Sequence, residues 1–439
     1  MAEDGIELKN EEAEFIALPN EVYIQALHEV IKNNCNLTED QYEIQCCAGS
    51  AKGDNYIGIV YRVSVKSKQD NSVKLNLIVK LPPQNAARRE QFFVRPCFIR
   101  EADFYNNLYP MYKQFQEEKG IDVEKDGFHE IPFCFKALTD DPFEGLYFDD
   151  LKASGFEMFD RFQNVTKEQV LIVMKTLAKM HAVFYCIKDQ KPELIEHYRD
   201  MVDIFLQRKG DENMNVWFES VKNRSKDTIT ECGNEDMIKK VNDLLSLDFF
   251  ELLETCINGE AAEPYAIVCH GDCWNNNIMY KYDQSGTPNA IRLLDFQIIR
   301  YSSPVLDLMY YIFGCTVKSL RDKHYQEFMD VYYDTLADFI KRLGSNPDKV
   351  FPREAFNEHL KKFGKFGFIM AMMVLPMFTA NAEDIPDMDA MAEKFQDLKE
   401  TGEKLDPSEI VDFSSFKTVD VFNERMRDVI QDMYDFGYF

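Results

Sequence analysis

Basic residues are scarce in this sequence, and the shortage argues against several kinds of partner. The 439 residues contain 50 Lys and Arg against 76 Asp and Glu, which gives a formal net charge of −26 at pH 7. No basic stripe interrupts this excess of acid along the chain. Because nucleic acids and anionic membranes attract proteins through clustered positive charge, neither is an expected partner.

Long apolar runs and export signals are also lacking. The longest strongly apolar stretch, 366–378, is far shorter than the roughly 20 residues of a membrane-spanning helix, so a buried helix is expected there. The first 15 residues are acidic and show neither the basic nor the apolar region of a signal peptide. The 11 Cys are an odd number, which disfavours a disulfide framework. We expect a reduced, cytoplasmic protein without a membrane span, and no obligate protein partner is evident.

Alternating hydrophobicity marks the amino-terminal third. From Tyr56 to Leu81 apolar residues recur at every second position on both sides of the polar turn 67–72, which predicts an antiparallel hairpin. A helix follows within 90–109, with Pro96 near its start, where proline is tolerated. The first third is therefore predicted to be a small sheet with a helix.

The remainder of the chain is predominantly helical in pattern. Thr166 and Gln169 form a capping box before apolar residues spaced three and four apart, which predicts a core helix over about 166–186. The acidic segment 383–404 is predicted to be a mobile surface segment, and its possible role as a lid stays open. Further helices are predicted over 192–206, 234–257, 304–342, 353–375 and 417–435.

Three polar residues interrupt this helical region among short strands between 266 and 296. Asp272 lies in the loop His270-Gly271-Asp272 after one strand, Asn277 follows five residues later, and Asp295 ends the second strand of a hairpin. The order and spacing match H-x-D-x-x-x-x-N followed by D-F-x, the catalytic pattern of kinases. A phosphoryl-transfer site needs one carboxylate as base, here Asp272, and an amide and a carboxylate for Mg²⁺, here Asn277 and Asp295.

Structural interpretations compete with this reading. A single H-G-D on a loop is more often a turn than a catalytic site, but several motif parts here occur in the expected order. His270 is expected to brace the loop by packing. Cys269 and Cys273 have a spacing that permits metal ligation, but no second Cys or His pair accompanies them, which disfavours zinc.

The amino-terminal module has to supply a lysine for the nucleotide phosphates. Lys80 closes the strand LNLIVK, and Glu101 follows on the predicted helix. An ion pair between them would hold the ammonium against the α- and β-phosphates, although either residue alone would be read as a surface charge. The turn before the hairpin is the expected phosphate-covering loop, although it lacks G-x-G-x-x-G. Its candidate residues are Ser50, Gly53, Asp54, Asn55 and Tyr56.

Taken together, these motifs resemble a known family. G-D-N-Y before a Y-R-V strand, E-x-x-F-Y, L-x-K-M-H-A, H-G-D-x-W-x-x-N, and D-F-Q followed by P-V-L-D-L are similar to the ecdysteroid kinase-like family of arthropods. That family belongs to the choline kinase and aminoglycoside phosphotransferase group of the protein-kinase-like fold. The resemblance runs from about 42 to 425.

The resemblance implies an α+β, bilobal fold, with a small antiparallel-sheet N-lobe over 1–147 and a larger, mainly helical C-lobe over 148–439. It implies a small-molecule kinase that uses Mg²⁺ and ATP, with Phe148 and Asp149 in the hinge at the adenine. The chain has Asp-Asp-Leu at 149–151 where the family more often has Glu-Asp-Leu. Asp307 resembles the buried aspartate that fixes the catalytic loop, and Gln297, with no A-P-E after it, argues against a protein substrate.

The acceptor is the least determined part of this interpretation. The resemblance favours an ecdysteroid or related steroid alcohol, and the alternative is detoxifying phosphorylation of plant or xenobiotic alcohols, phenols or glycosides. The acidic surface alone would favour a cationic acceptor such as choline, but D-F-Q and the Trp of the catalytic loop look less like those subgroups. A pseudokinase that sequesters a ligand would usually have lost one of the four motif residues, and Lys80, Asp272, Asn277 and Asp295 are all present.

Overall fold

The amino-terminal part of the chain is built on a five-stranded antiparallel sheet of order β1-β2-β3-β5-β4. A computed structural model describes residues 16–49, 57–160, 163–229, 234–379, 388–401 and 419–439. The predicted hairpin is confirmed, with Val60 opposite Lys80. The strands of this sheet are β1 (Tyr42–Ala48), β2 (Ile59–Ser67), β3 (Val73–Leu81), β4 (Cys134–Leu138) and β5 (Gly145–Asp149).

Helices cover the two faces of this sheet. One of them packs its apolar side on the strands, burying Tyr23, Leu27 and Ile31 against Val63 and Leu77. Another carries Glu101 behind β3, and its buried face includes Phe98 and Ala102. The helices of this part are α1 (Glu21–Cys35), α2 (Ala86–Gln91), α3 (Val94–Asp103), α4 (Tyr109–Glu118) and α5 (Val123–Asp126).

The second part of the chain is mainly helical and packs around one long central helix. Thr166 caps that helix as predicted, with its side chain accepting from the Gln169 N–H and the Gln169 side chain accepting from the Thr166 N–H. The helices are α6 (Lys167–Gln190), α7 (Glu196–Arg199), α8 (Glu212–Ile229), α9 (Glu235–Leu245), α10 (Phe249–Ile257), α11 (Gly259–Ala262), α12 (Val305–Cys315), α13 (Lys318–Arg342), α14 (Pro347–Val350), α15 (Arg353–Phe363), α16 (Phe366–Thr379), α17 (Met388–Thr401) and α18 (Val419–Asp435).

The apolar character of α6 reflects its place in the core. Within the described ranges it is the one helix long and apolar enough to cross a membrane by length and composition, but 78% of its apolar window is buried inside the molecule. α13 packs along it, and its buried residues include Leu177 and Phe184. Such burial is what the core helix of a globular fold shows.

Two small sheets belong to the second part of the chain. β7 pairs with β10, and the order of the three-stranded sheet is β6-β8-β9. Their strands are β6 (Glu157–Met158), β7 (Ile267–Cys269), β8 (Ile278–Tyr282), β9 (Pro288–Leu293) and β10 (Arg300–Ser302). The loop from β7 to β8 and the segment from β9 to β10 therefore lie side by side, at the junction of the two parts. The molecule has the expected α+β, bilobal architecture.

Several predicted helices are wrong in extent. Residues 192–206 form only a 3₁₀ turn and α7, and Asp248 starts a separate helix within 234–257 by accepting from the Glu251 N–H at 3.0 Å. The helix predicted over 304–342 breaks at Thr316, which is extended. The Arg321 guanidinium hydrogen bonds to the Thr316 carbonyl oxygen, so this carbonyl needs no helical partner.

Part of the segment predicted to be mobile is helical. Residues 388–401 form α17, and the rest of 383–404 lies outside the described residues. α17 packs against α2 of the sheet lobe. Asn85 donates to Glu393 at 2.9 Å, and Arg88 lies 3.4 Å from Asp389. The helix is thus held against the other lobe. The composition of the segment gives no sign of these contacts.

Candidate active site

The loop after β7 is held in one shape by a buried carboxylate. Asp307, in the first turn of α12, accepts from the His270 N–H at 2.7 Å and from the Gly271 N–H at 2.9 Å. His181 of α6 contacts the same carboxylate at 3.1 Å. Burial alone would raise the pKa of Asp307, but its bond to His181 and the nearby charges lower it, so the carboxylate stays ionised.

Gly271 and His270 complete this loop. Gly271 has φ +86°, and a Cβ there would lie 2.0 Å from the carbonyl oxygen of Ile298, so only glycine fits. The His270 Nδ1 accepts from the Asp272 N–H at 3.2 Å, which leaves Nε2 as the donor to the Leu294 carbonyl at 3.0 Å. Its ring lies 4.5 Å from that of Phe296, so His270 braces the loop as its sequence context indicates.

The loop presents the Asp272 carboxylate with one hydrogen bond on each oxygen. Oδ1 accepts from the Tyr310 hydroxyl at 2.8 Å, and Oδ2 accepts from the Asn277 amide at 2.7 Å. Burial, followed by the charge of Asp295, raises the pKa of Asp272 to about 6, against the effect of those two hydrogen bonds. A carboxylate with such a pKa is suited to accept a proton near neutral pH.

Lys80 joins the two lobes through two carboxylates. Its Nζ lies 2.7 Å from Oε2 of Glu101 and 2.6 Å from Oδ1 of Asp295. Burial would lower the pKa of Lys80, but the two carboxylates raise it above its ordinary value, so the ammonium stays charged. Phe296 stacks on Phe104 directly after α3, with ring centroids 3.6 Å apart. The predicted Lys80–Glu101 pair therefore exists, and Asp295 shares it.

A cavity of about 440 Å³ opens between the lobes at these residues. Six of the predicted site residues line it, namely Lys80, Glu101, Phe148, Asp149, Asn277 and Asp295. Apolar side chains from both lobes form much of the remaining wall, namely Val60, Ile78, Leu151, Met158, Met279 and Leu294. Asp272 is attached to this wall through its bond to Asn277. Apolar walls beside the fixed ammonium of Lys80 suit a flat apolar ring joined to an anionic tail.

The other predicted site residues are those of the phosphate-covering turn and of the hinge. Ser50, Gly53, Asp54, Asn55 and Tyr56 of the expected phosphate-covering turn lie outside the described residues. At the expected hinge, the Asp149 N–H donates to the Phe133 carbonyl at 3.0 Å, and its carboxylate accepts from the Phe133 N–H at 2.7 Å. The amide of Asp149 is thus already bonded within the protein, although its side chain lines the cavity.

Sequence reasoning missed several residues at this site. Tyr310 contacts Asp272 although 38 positions separate them, and the motifs gave no reason to single it out. Tyr105 and Arg62 line the cavity, and Arg62 lies 3.0 Å from Asp150. The one available signal for Tyr310 was its place three residues after Asp307, on the same face of a predicted helix.

Comparison of the sequence with models of known protein families shows to which family the chain belongs. The model of the Ecdysteroid kinase-like family matches residues 52–345, more than half of the chain. The chain belongs to this family. Membership makes it a kinase-like small-molecule phosphotransferase, an ATP-dependent enzyme with a hydroxyl acceptor. No curated protein sequence matches.

Three solved structures match this chain at low sequence identity. Ethanolamine kinase from Plasmodium vivax is 15% identical, with 89% of this chain and 92% of that chain covered and a TM-score of 0.39. The GDP complex of the F108L mutant of aminoglycoside 2′-phosphotransferase-IIIa is 9% identical, with 87% and 98% covered and a TM-score of 0.36. The wild-type GDP complex is 9% identical, with 79% and 98% covered and a TM-score of 0.34.

Proposed function

We propose that this protein transfers the γ-phosphate of ATP to a hydroxyl group of an ecdysteroid or a related steroid alcohol, in the cytoplasm. The lobes would divide near residue 148, at the end of β5, with the nucleotide in the cavity between 1–147 and 148–439. The observation that carries the proposal is Lys80, whose ammonium lies within 2.7 Å of both Glu101 and Asp295 in the wall of that cavity. A fixed cation of this kind suits the α- and β-phosphates of a nucleotide.

The residues at the cavity also fit a magnesium ion brought in with the nucleotide. Asn277 and Asp295 both line the cavity and offer amide and carboxylate oxygens, the donors that Mg²⁺ prefers. The described residues contain no cluster of three His, Cys, Asp or Glu that could hold a metal by themselves. Two protein ligands suffice at such a site, because Mg²⁺ usually keeps phosphate oxygens and water among its ligands. Bound there, it would neutralise charge on the transferring phosphate.

Asp272 is the proposed base. Its hydrogen bonds to Tyr310 and Asn277 leave a second lone pair on each carboxylate oxygen, and the side chain stays partly exposed. As the acceptor oxygen bonds to the γ-phosphorus, its proton passes to Asp272. The bond from that phosphorus to the bridging oxygen breaks, and ADP leaves with the electron pair. Lys80 keeps the remaining phosphates oriented during the step.

Buried aromatic side chains and Arg300 pack behind Asp272 on the C-lobe side. The ring of Phe366 lies 6.5 Å from that of Tyr310, and Arg300 lies between Phe366 and Phe205 at 5.5 and 5.6 Å from their centroids. The buried side chains hold the Tyr310 ring, whose hydroxyl bonds to Asp272, and offer no surface of their own to an acceptor. Support for a steroid alcohol as the acceptor comes from the family name.

Turnover with a panel of acceptors tests this proposal. Purified full-length protein would be incubated with Mg-ATP and an ecdysteroid, a plant phenol, a glycoside or choline, and product mass would be read directly. Asp272→Asn serves as the control for contaminating kinases. We expect a gain of one phosphate on the ecdysteroid with the wild-type protein and none with the variant.

Each other result has a definite meaning. Phosphate only on the phenol or the glycoside would replace the hormone proposal with detoxification. Phosphate on choline alone would show that the acidic surface selects the acceptor and would contradict a steroid substrate. ATP binding without product on any acceptor would contradict the proposed steroid kinase activity.

A further inference from the structure

Two residues on one turn of α12 contact the catalytic segment. Asp307 binds the backbone N–H groups of His270 and Gly271, and Tyr310 binds the side chain of Asp272. Residues three apart lie on the same face of a helix, so both contacts come from a single rigid surface. One face of α12 thus fixes the backbone of the loop and the direction of its carboxylate.

The Tyr310 side chain is itself held firmly. It is 2% exposed, and its ring packs edge-on against Phe366 at a centroid distance of 6.5 Å. Burial raises the pKa of Tyr310 well above its ordinary value, so the phenol stays neutral and keeps the proton that it donates. A tyrosine has few rotatable bonds, which lets it hold a partner at small entropic cost.

The two hydrogen bonds to Asp272 differ in the rigidity of their donors. Asn277 belongs to the same loop as Asp272, and its side-chain amide is also proposed to bind Mg²⁺. Tyr310 comes from a different element and has no other hydrogen-bond partner within the described part of the chain. The phenol is therefore the contact that fixes which way the carboxylate faces.

We propose that Tyr310 is a positioning residue for phosphoryl transfer. Its hydroxyl holds one oxygen of Asp272 so that a free lone pair of the carboxylate faces the acceptor hydroxyl. This inference rests on the proposed function for the role of Asp272 as the base. A misdirected base slows the proton transfer while nucleotide binding is unaffected, because Tyr310 does not line the nucleotide cavity.

The neighbouring residue offers a matched control. Tyr311 lies on the same helix, is fully buried and makes one hydroxyl contact, with Tyr280 at 3.1 Å. Phenylalanine at either position removes one hydroxyl and one buried hydrogen bond and keeps the ring. The two substitutions thus carry similar structural costs, and only one of them touches Asp272.

The experiment compares Tyr310→Phe and Tyr311→Phe on the full-length protein with the acceptor that the panel identifies. We expect Tyr310→Phe to lower kcat by ten- to a hundredfold, with the KM for ATP within twofold of wild type. Tyr311→Phe should retain kcat within twofold. In an Asp272→Asn background, Tyr310→Phe should cause no further loss, because the group it positions is already gone.

Several results would overturn the proposal. Equal kcat values for the two tyrosine variants would do so, and so would an effect on KM alone. A third contradicting result is a Tyr310→Phe substitution that lowers kcat as much in the Asp272→Asn background as in the wild-type protein. A Tyr310→Phe protein that fails to fold while Tyr311→Phe folds would assign the hydroxyl to stability instead. Thermal unfolding and ADP binding of both variants provide that check.

A failure of the proposed function would be distinguishable from a failure of this inference. If wild-type protein phosphorylates no acceptor, slow hydrolysis of Mg-ATP by water can be measured in the same variants. A selective loss of hydrolysis in Tyr310→Phe would then still support the positioning role. Equal hydrolysis by the Tyr310→Phe and Tyr311→Phe proteins would contradict it.

Discussion

Lys80 of the sheet lobe lies 2.6 Å from Asp295 of the helical lobe, and the same ammonium binds Glu101 at 2.7 Å. One buried cation therefore pairs with two carboxylates that come from different parts of the chain. Lys80→Met would leave both carboxylates without their partner. Removing one partner of a buried ion pair typically costs about 3–5 kcal/mol, so the protein should also be less stable.

We predict that Lys80→Met lowers kcat/KM for ATP by roughly a hundredfold or more, because the phosphates lose their fixed cation. Steady-state kinetics and thermal unfolding measure the two effects. Lys136→Met is the control, since Lys136 lies in the same sheet and pairs with Glu29 at 2.6 Å, at a surface position. A Lys80→Met enzyme with an unchanged kcat/KM for ATP would contradict the assigned role.

Asp272 and Asp295 should respond differently to substitution. Asp272→Asn removes the proposed base, so we expect turnover to fall by several decades while the Kd for Mg-ATP changes little. Asp295→Ala removes a proposed Mg²⁺ ligand and the partner of Lys80, so Mg-ATP binding should weaken as well. Isothermal titration with Mg-ATP beside kinetics separates the two cases. Equal effects of both changes on nucleotide affinity would refute the assignment.

Gly271 provides a test of the loop geometry. Gly271→Ala would place a Cβ 2.0 Å from the Ile298 carbonyl oxygen, so the loop carrying Asp272 must move, and kcat should fall by decades. Gly286→Ala is the matched control, because Gly286 also has a positive φ, +80°, but a Cβ at that position would have no atom within 4 Å. That control should lose only about 1–2 kcal/mol of stability and retain activity. Similar kcat values for both variants would show that the loop accommodates the side chain.

Arg100 ties the helix that carries Glu101 to the segment after Asp295. Its guanidinium donates to the Ile299 carbonyl at 2.8 Å and to the Val202 carbonyl at 2.9 Å. We predict that Arg100→Met releases α3 and lowers kcat/KM for ATP about tenfold, since hydrogen bonds from charged groups contribute about 1.5–3 kcal/mol each.

The control for this prediction lies on the same helix. Arg95 of α3 binds Glu144 within the sheet lobe, so Arg95→Met should reduce the melting temperature without a selective effect on ATP kinetics. Measurement of kcat/KM for ATP and of thermal unfolding in both variants decides the matter. An Arg100→Met enzyme that behaves like Arg95→Met would mean that α3 needs no anchor on the other lobe.

Local patterns made much of the site predictable. The alternation in 56–81 fixes Lys80 on its strand, and the motif order places Asp272, Asn277 and Asp295 at the ends of neighbouring strands. Contacts across the fold were beyond reach, because no spacing rule connects Tyr310 with Asp272 or Arg100 with Ile299. Such contacts depend on how helices pack on the loop, and packing follows from the shape of the whole core.

Helix boundaries also divide into those set by local sequence and those set by contacts across the fold. The capping box at Thr166 announces the start of α6 locally, and the structure confirms it. The break at Thr316 depends on Arg321 reaching back to the Thr316 carbonyl, and the helix at 388–401 contacts Asn85 and Arg88 of the other lobe. Neither contact can be read from the hydrophobic period, so both regions were predicted wrongly.

A buried histidine makes stability depend on pH. His359 is 7% exposed, Ser303 contacts its Nδ1 at 2.8 Å, and the rings of Tyr265, Phe351 and Phe363 surround it. Burial, together with the charge of Lys362, lowers the pKa of His359 to about 4 from an ordinary 6.5. Between pH 6.5 and 4, His359 is protonated in the unfolded chain but stays neutral in the folded protein. Stability is therefore lost as the pH falls through this window. At the lower end of this window, His359 lowers the free energy of unfolding by about 3 kcal/mol.

Thermal unfolding at pH 7.5 and pH 5 measures this effect. We expect the melting temperature of the wild-type protein to fall more between these two values than that of His359→Gln, because the variant lacks the group that titrates. His197→Gln is the control, since His197 is exposed and its loss should leave the wild-type pH response in place. If His359→Gln and His197→Gln lose the same number of degrees on acidification, another group governs the acid response. In that case burial between Ser303 and the three rings does not lower the pKa of His359.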